Sequence, residues 1–360
     1  NGKPLVYLED ASDYKVTDAG QVILVNCSNI TVGNQDLSNT SVGIELWETE
    51  DCILSNNKVS NNSRNGISLY DSSNNTITGN NVCNNKYGGI YLHYSSSDNT
   101  ITGNNVSSNW NGIDLRYSSN NNTITENNVS NNSRKGIYLS GSNNTITGNT
   151  FVNDGLSVYS SYQNTVENNT VNGKPLVYLE DASDYRIEDA GQVILVKCNN
   201  ITVENLDISN TNSGIDLWET EDSKILNNIV CNNVIGIELY NSCNNNNITG
   251  NNVSSNKVYG IKIYDSSNNT ITGNTASSND YDGISLVSSS NNTISGNNVS
   301  TNNRDGISVD SSSNNNSITD NNVCNNSWYG ICLTSSSNNT IKSNNVCNNN
   351  WGGIDLSSHS

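Results

Sequence analysis

The chain has 360 residues, 32% apolar and 14% charged, with 16 Lys and Arg against 34 Asp and Glu and a formal net charge of −18. That charge argues against nucleic acid and anionic membrane surfaces as partners, and no stretch approaches the roughly 18 apolar residues of a membrane span. The Asn/Ser-rich, weakly hydrophobic composition is also that of low-complexity disorder, but the apolar residues keep phase (Ile67/Leu69, Ile77, Val82, then Ile90/Leu92, Ile101, Val106), which disorder has no reason to do.

The chain opens at Asn1 without Met and without a signal-peptide hydrophobic region, which reads as a processed or truncated product. Residues 1–32, NGKPLVYLEDASDYKVTDAGQVILVNCSNITV, return nearly unchanged at 172–203. We therefore expect two tandem units, 1–171 and 172–360, with no Gly/Ser or Pro-rich linker between them. In each unit the Lys-Pro-Leu-Val-Tyr-Leu segment (from Lys3 and from Lys174) reads as an extra strand and loop, a flap ahead of the regular rhythm.

Beyond the opening segment a shorter beat takes over. Gly-Ile pairs begin at Gly43, Gly66, Gly89 and Gly112, and again at Gly283, Gly306, Gly330 and Gly353, about 23 residues apart. A fixed period in the twenties with β-branched runs and Asn/Gly punctuation signals a solenoid. Each rung predicts three short strands: Gly-Ile-x-Leu, Asn-Thr-Ile-Thr and Asn-Val-Ser/Cys. Ile and Leu of the first face the same way because strand side chains alternate. Asn pairs suit the corners, where they tolerate left-handed backbone and stack as amide ladders. Gly before each Ile suits a bend that a Cβ would obstruct. The fold class is all-β: a single-stranded parallel β-helix, right-handed by the crossover rule. Roughly 15 rungs at about 4.8 Å each would make a rod near 70 Å long.

The motifs NGKPLVYLEDAS, DAGQVILVNCSNITV and SSNNTITGNNVSNN-x-x-GI-x-L cover essentially the whole chain. In them the sequence resembles the NosD-like, carbohydrate-binding-and-sugar-hydrolase type of parallel β-helix repeat, abundant in surface and secreted proteins of methanogenic archaea. The resemblance implies an extracellular setting and a place in an S-layer, sheath or filament. It is weak for activity, since members range from copper-site maturation to polysaccharide processing to envelope structure.

Chemistry must lie where the repeat varies. The outward slot of Gly-Ile-x-Leu holds Glu45, Ser68, Tyr91, Asp114, Tyr138 and Ser157, then Asp216, Glu238, Lys262, Ser285, Ser308, Cys332 and Asp355. Asp216, Glu238 and Lys262 are the best acid–acid–base trio for catalysis, because carboxylates one rung apart can split their pKa values as glycosidase pairs do. The plainer account is a solvated outer face, where charges are common and such neighbours coincide, and unit 1 has no equivalent trio. Glu48, Glu50 and Asp51, repeated as Glu219, Glu221 and Asp222, offer oxygen ligands for Ca²⁺, although the spacing matches no EF-hand. Copper needs soft or imidazole ligands, and His93 and His359 are the only histidines in a chain without Met. His93 reads as surface decoration.

Two aromatic stripes, which include Trp47, Tyr70, Trp218 and Tyr240 after the Leu and Trp110, Trp328 and Trp351 before the Gly, suit lateral packing or sugar binding as well as plain stacking. Nine Cys contain no CxxC pair, which leaves zinc and thioredoxin-like readings without support. Cys27 and Cys52 fall in neighbouring rungs as a disulfide candidate. Cys83, Cys231, Cys324 and Cys347 occupy an outward slot, Cys324 and Cys347 in register, and surplus outward thiols suit cross-links. Sequons such as Asn74-Asn75-Thr76 recur through the turn motif.

Weighed together, the pattern reads as a non-enzymatic structural element outside the cell, assembling end to end or side by side with copies of itself. A glycan-binding module and a polysaccharide lyase or hydrolase are the alternatives.

Overall fold

The computed structural model describes residues 2–357, so His359 lies outside the described residues. Its strands divide between two units, Asn1–Leu176 and Val177–Ser360, each a right-handed parallel β-solenoid without a helix among the described residues. A typical rung runs Ile67–Tyr70, Thr76–Thr78, Asn81–Cys83. The next rung repeats it 23 or 24 residues on, with Ile67 beside Ile90, Ile77 beside Ile101 and Val82 beside Val106. Stacked rungs make three parallel sheets in each unit.

Each rung sends about four apolar side chains inward. Ile67, Leu69, Ile77 and Val82 are completely buried, and burial of each contributes roughly 2 kcal/mol before chain entropy is counted. Register is unambiguous because a one-residue slip would turn this whole row outward. The Gly before Ile is where two backbones meet: a Cβ on Gly66 would stand 2.7 Å from Gly89 O and from Val82 Cγ1.

The corners are built from amides. Asn80 donates its backbone N–H and its side-chain Nδ2 to Asn104 Oδ1, each at 2.9 Å, and Asn104 Nδ2 donates on to Ile77 O and Asn127 Oδ1. The same ladder continues through Asn149 to Asn169, and unit 2 repeats it from Asn228 to Asn344. Such ladders satisfy backbone groups that a thin core would otherwise leave buried and unpaired. Before each Asn of these ladders stands a residue with positive φ, such as Asn74 (φ 57°) before Asn75 and Gly103 (φ 63°) before Asn104. The sequon asparagine therefore faces solvent while its neighbour is walled in.

One expectation is corrected. The opening segment is no flap: Leu5–Glu9 pairs parallel and in register with Gln21–Val25, forming a short 16-residue rung whose Val6 and Leu8 continue the inner rows over Val22 and Leu24. Asn172 (φ 51°) and Gly173 (φ 82°) make a tight hairpin that pairs Val171 with Lys174 antiparallel, the conformation that Asn-Gly favours.

Candidate functional site

The outward slots converge on one sheet of unit 1. Strands Ile67–Tyr70, Gly88–His93, Asn111–Leu115 and Lys135–Leu139 lie side by side, placing Ser68, Tyr91, Asp114 and Tyr138 in one row and Tyr70 beside His93 in the next. Over them opens a cleft of about 420 Å³ walled by Arg64, Tyr91, Asn111, Asp114 and Arg116, with Tyr87 and Trp110 on its lining. The two rim aromatics are 51% and 48% exposed.

Asp114 is only 3% exposed, and its charge is answered on the spot. Arg116 donates Nε to Oδ1 and Nη2 to Oδ2, both at 2.9 Å, and Asn111 Nδ2 donates to Oδ2 at 2.8 Å. These bonds to Asp114 hold the Arg116 pKa above its ordinary value. Asn111 Oδ1, on the same wall, is buried with no hydrogen-bond partner. Burial pushes the Tyr91 phenol well above the usual tyrosine range, so Tyr91 keeps its proton at neutral pH. Lys135 Nζ sits 3.7 Å above the Tyr138 ring, where burial again raises the phenol pKa.

His93 is not surface decoration. It is 8% exposed, with its ring 3.9 Å from Tyr94, 4.6 Å from Tyr117, 5.0 Å from Tyr91 and 5.3 Å from Tyr70. Burial, seconded by Arg116, lowers its pKa, and Nδ1 has no hydrogen-bond partner. The slot after Leu turns back over the sheet here because the rings of neighbouring rungs close above it.

The trio Asp216, Glu238 and Lys262 does occupy consecutive rungs. Lys262 Nζ, however, donates to Glu238 Oε1 at 2.9 Å, and Ser213 Oγ donates to Oε2 at 3.3 Å. Burial pulls the Lys262 pKa down, but the Glu238 carboxylate outweighs it and the net shift is upward. Glu238 and Lys262 therefore form a charge pair, with Asp216 on the rung before.

The acidic knots are corners. Asp51 (φ 56°) and Asp222 (φ 53°) take the left-handed position that Asn74 and Asn245 fill elsewhere. Glu219, Glu221 and Asp222 accept from Asn241, Asn244 and Asn199 side chains. Glu48 and Glu50 line a shallow hollow of about 320 Å³ with Asp71, and Asp51 is not part of its wall.

Trp218 is corrected from exposed to buried: it is 6% exposed and stacks on Tyr240 at 4.7 Å, which stacks on Tyr264. Trp47 stacks on Tyr70 at 4.1 Å and Trp328 on Trp351 at 4.3 Å, ring ladders that follow the rungs.

Cys27 and Cys52 are unbonded, because they belong to different corner ladders. Cys27 N donates to Thr49 Oγ1, whereas Cys52 N donates to Asn75 Oδ1. Cys83 and Cys231 have Ser on both neighbouring rungs and are also unbonded. Cys324 and Cys347, 4.6 Å apart at Cα, form a disulfide, and Cys324, beside core-facing Val323, is covered and not exposed.

Sequence reasoning missed Asp282 and Asp305, each 2% exposed. Asp305 N donates to Asp282 Oδ1 at 3.1 Å and Tyr329 N to Asp305 Oδ1 at 2.9 Å. Burial pushes the Asp282 carboxyl up to about 6 and raises Asp305 as well. The signal was present as Asp-Gly at the same slot of consecutive rungs.

Fold and cleft together define a parallel β-helix with an aromatic- and arginine-lined groove on one sheet. Residues 5–134, 88–188, 176–327 and 297–360 match the model of the family described as periplasmic copper-binding protein (NosD), and the chain belongs to that family. Similar solved structures include the Azotobacter vinelandii mannuronan C-5 epimerase AlgE4 A-module, at 14% identity over 99% of this chain and 90% of that one (TM-score 0.37). They also include the periplasmic alginate epimerase AlgG, at 14% over 94% and 78% (TM-score 0.36). A third is the catalytic unit of the GH87 α-1,3-glucanase of Streptomyces thermodiastaticus strain HF3-3, at 12% over 92% and 64% (TM-score 0.31). No curated protein matches the chain.

The family description names copper, and the donors present do not fit it. His93 is enclosed by rings. Cys27, Cys52, Cys198 and Cys243 each donate to backbone carbonyls, Thr220 stands between Cys198 and Cys243 on their shared ladder, and burial holds Cys52 up to about 11 and Cys243 up to about 12, far from the thiolate a metal requires. Among the described residues no three His, Cys, Asp or Glu side chains converge to hold a metal ion.

Proposed function

We propose that this is a polysaccharide-binding protein that works outside the cytoplasm, at the cell surface, and that the unit 1 cleft holds a stretch of glycan. The observation that carries the reading is the convergence of exposed Trp110 and Tyr87 with Arg64, Arg116, Tyr91 and Asn111 on one open groove. A sugar ring has apolar C–H faces and a rim of hydroxyls, so it suits flat aromatic platforms beside fixed donors and acceptors. An open cleft also admits a polymer running through it.

This reading departs from the building element expected from the sequence. Contacts spread along a rod have no need of irregular residues gathered within a few adjacent rungs, nor of a buried acceptor left without a donor. The test is retention on a panel of immobilised polysaccharides. Wild-type protein should be retained by at least one, and Trp110→Ala should weaken that retention about tenfold, the order expected for losing one aromatic anchor, with an unchanged melting curve. Retention by none, or full retention of the variant, refutes the proposal.

A further inference from the structure

We infer that the glycan taken by this cleft is an acidic one, with a carboxylate-bearing sugar seated between Arg64 and Arg116. The inference rests on the polysaccharide-binding reading above and names its substrate class.

Charge is the first argument. The chain carries a formal −18, yet the charged residues lining the cleft are Arg64, Asp114 and Arg116. The single acid among them is saturated: both Asp114 oxygens already accept from Arg116, and Oδ2 accepts from Asn111 as well. Arg116 balances its charge, and Arg64 leaves the cleft lining with one positive charge in surplus. Arg116 uses Nε and Nη2 on Asp114, which leaves Nη1 outside that pair. Arg64 is exposed and forms no ion pair among the described residues. A guanidinium fork matches a carboxylate better than any other side chain does.

The remaining polar groups suit the rest of a sugar. Asn111 Oδ1 is a buried acceptor without a donor, a place for a hydroxyl. Tyr91, kept protonated by burial, is a donor facing the same space. With this much negative charge elsewhere, a polyanion is repelled by the molecule as a whole, so its retention reports the cleft and not a diffuse basic surface.

The experiment compares polygalacturonate and polymannuronate with the same polymers after reduction of their carboxyls to alcohols. At least one polyuronate should be retained, its reduced form at least tenfold more weakly, and retention should fall as salt rises from 50 to 500 mM. Arg64→Gln should weaken polyuronate retention five- to tenfold, while Lys342→Gln, on an exposed strand of unit 2, leaves it unchanged. Arg116→Gln is the weaker test because it also uncovers buried Asp114, so Arg64→Gln decides. Equal retention of native and reduced polymers, or full retention by Arg64→Gln, overturns the acidic-sugar inference and leaves the polysaccharide reading standing. Retention of neither class, nor of any neutral glycan, overturns both.

Discussion

Replacing Asp282 with Asn should stabilise unit 2 at neutral pH. Asp282 is 2% exposed, and burial raises its carboxyl from 3.8 to about 6, with Arg304, whose Nε lies 3.9 Å from Oδ1, only partly opposing the shift. Its folded pKa thus lies above its unfolded one, so the folded state holds the proton more tightly. The favourable contribution is complete below pH 4 and is lost as pH rises through about 6. A shift of two units corresponds to about 3 kcal/mol of unfolding free energy between pH 4 and pH 7.5. The structural task of the side chain is to accept the Asp305 N–H. At the matching slot of unit 1, Asn65 Oδ1 accepts the Gly88 N–H at 2.9 Å without any charge. Asp282→Asn should therefore gain up to about 3 kcal/mol at pH 7.5 and nothing at pH 4. Urea unfolding across that range measures the gain. Hydrogen exchange at the Asp305 and Tyr329 amides localises it, which matters because solenoids need not unfold in one step. Lower stability of the variant at pH 7.5 would refute the reasoning, since attraction to Arg304 would then outweigh the burial of the charge.

Asn104→Ala removes the acceptor of the Asn80 N–H and the donor to Ile77 O. Two buried backbone groups left unpaired should cost about 4 kcal/mol in urea unfolding, and a loss under about 1 kcal/mol would contradict the ladder's role. Cys324→Ser with Cys347→Ser opens a cross-link spanning 23 residues. Loop-closure entropy puts the loss at about 3 kcal/mol, read as faster hydrogen exchange in the strands Asn322–Cys324 and Asn345–Cys347, and unchanged exchange there would argue against it.

Much of the architecture was legible because it repeats. Inward Ile, Leu and Val and the corner Asn each do one job in every rung, so their period reports it directly. The Asn172-Gly173 hairpin is legible as well, since Asn-Gly is a strong local signal for a tight two-residue turn. The candidate cleft was visible only as a set of unequal residues in outward slots. Nothing in the spacing said that Arg116 folds back on Asp114, that Tyr94 and Tyr117 close over His93, or that Trp218 is covered while Trp110 is not.

The chain's own pattern determined the solenoid, its strand register and its amide corners, since a period of about 23 residues with fixed inward slots admits no other way to bury the apolar rows. The tertiary structure alone decided which outward side chains are buried, paired or left open. Each has its neighbours a full rung away in sequence, so the ring or charge it meets there is set by the stacking of rungs. Cys27 and Cys52 show this most plainly: close in rung count, they sit in separate ladders and cannot meet.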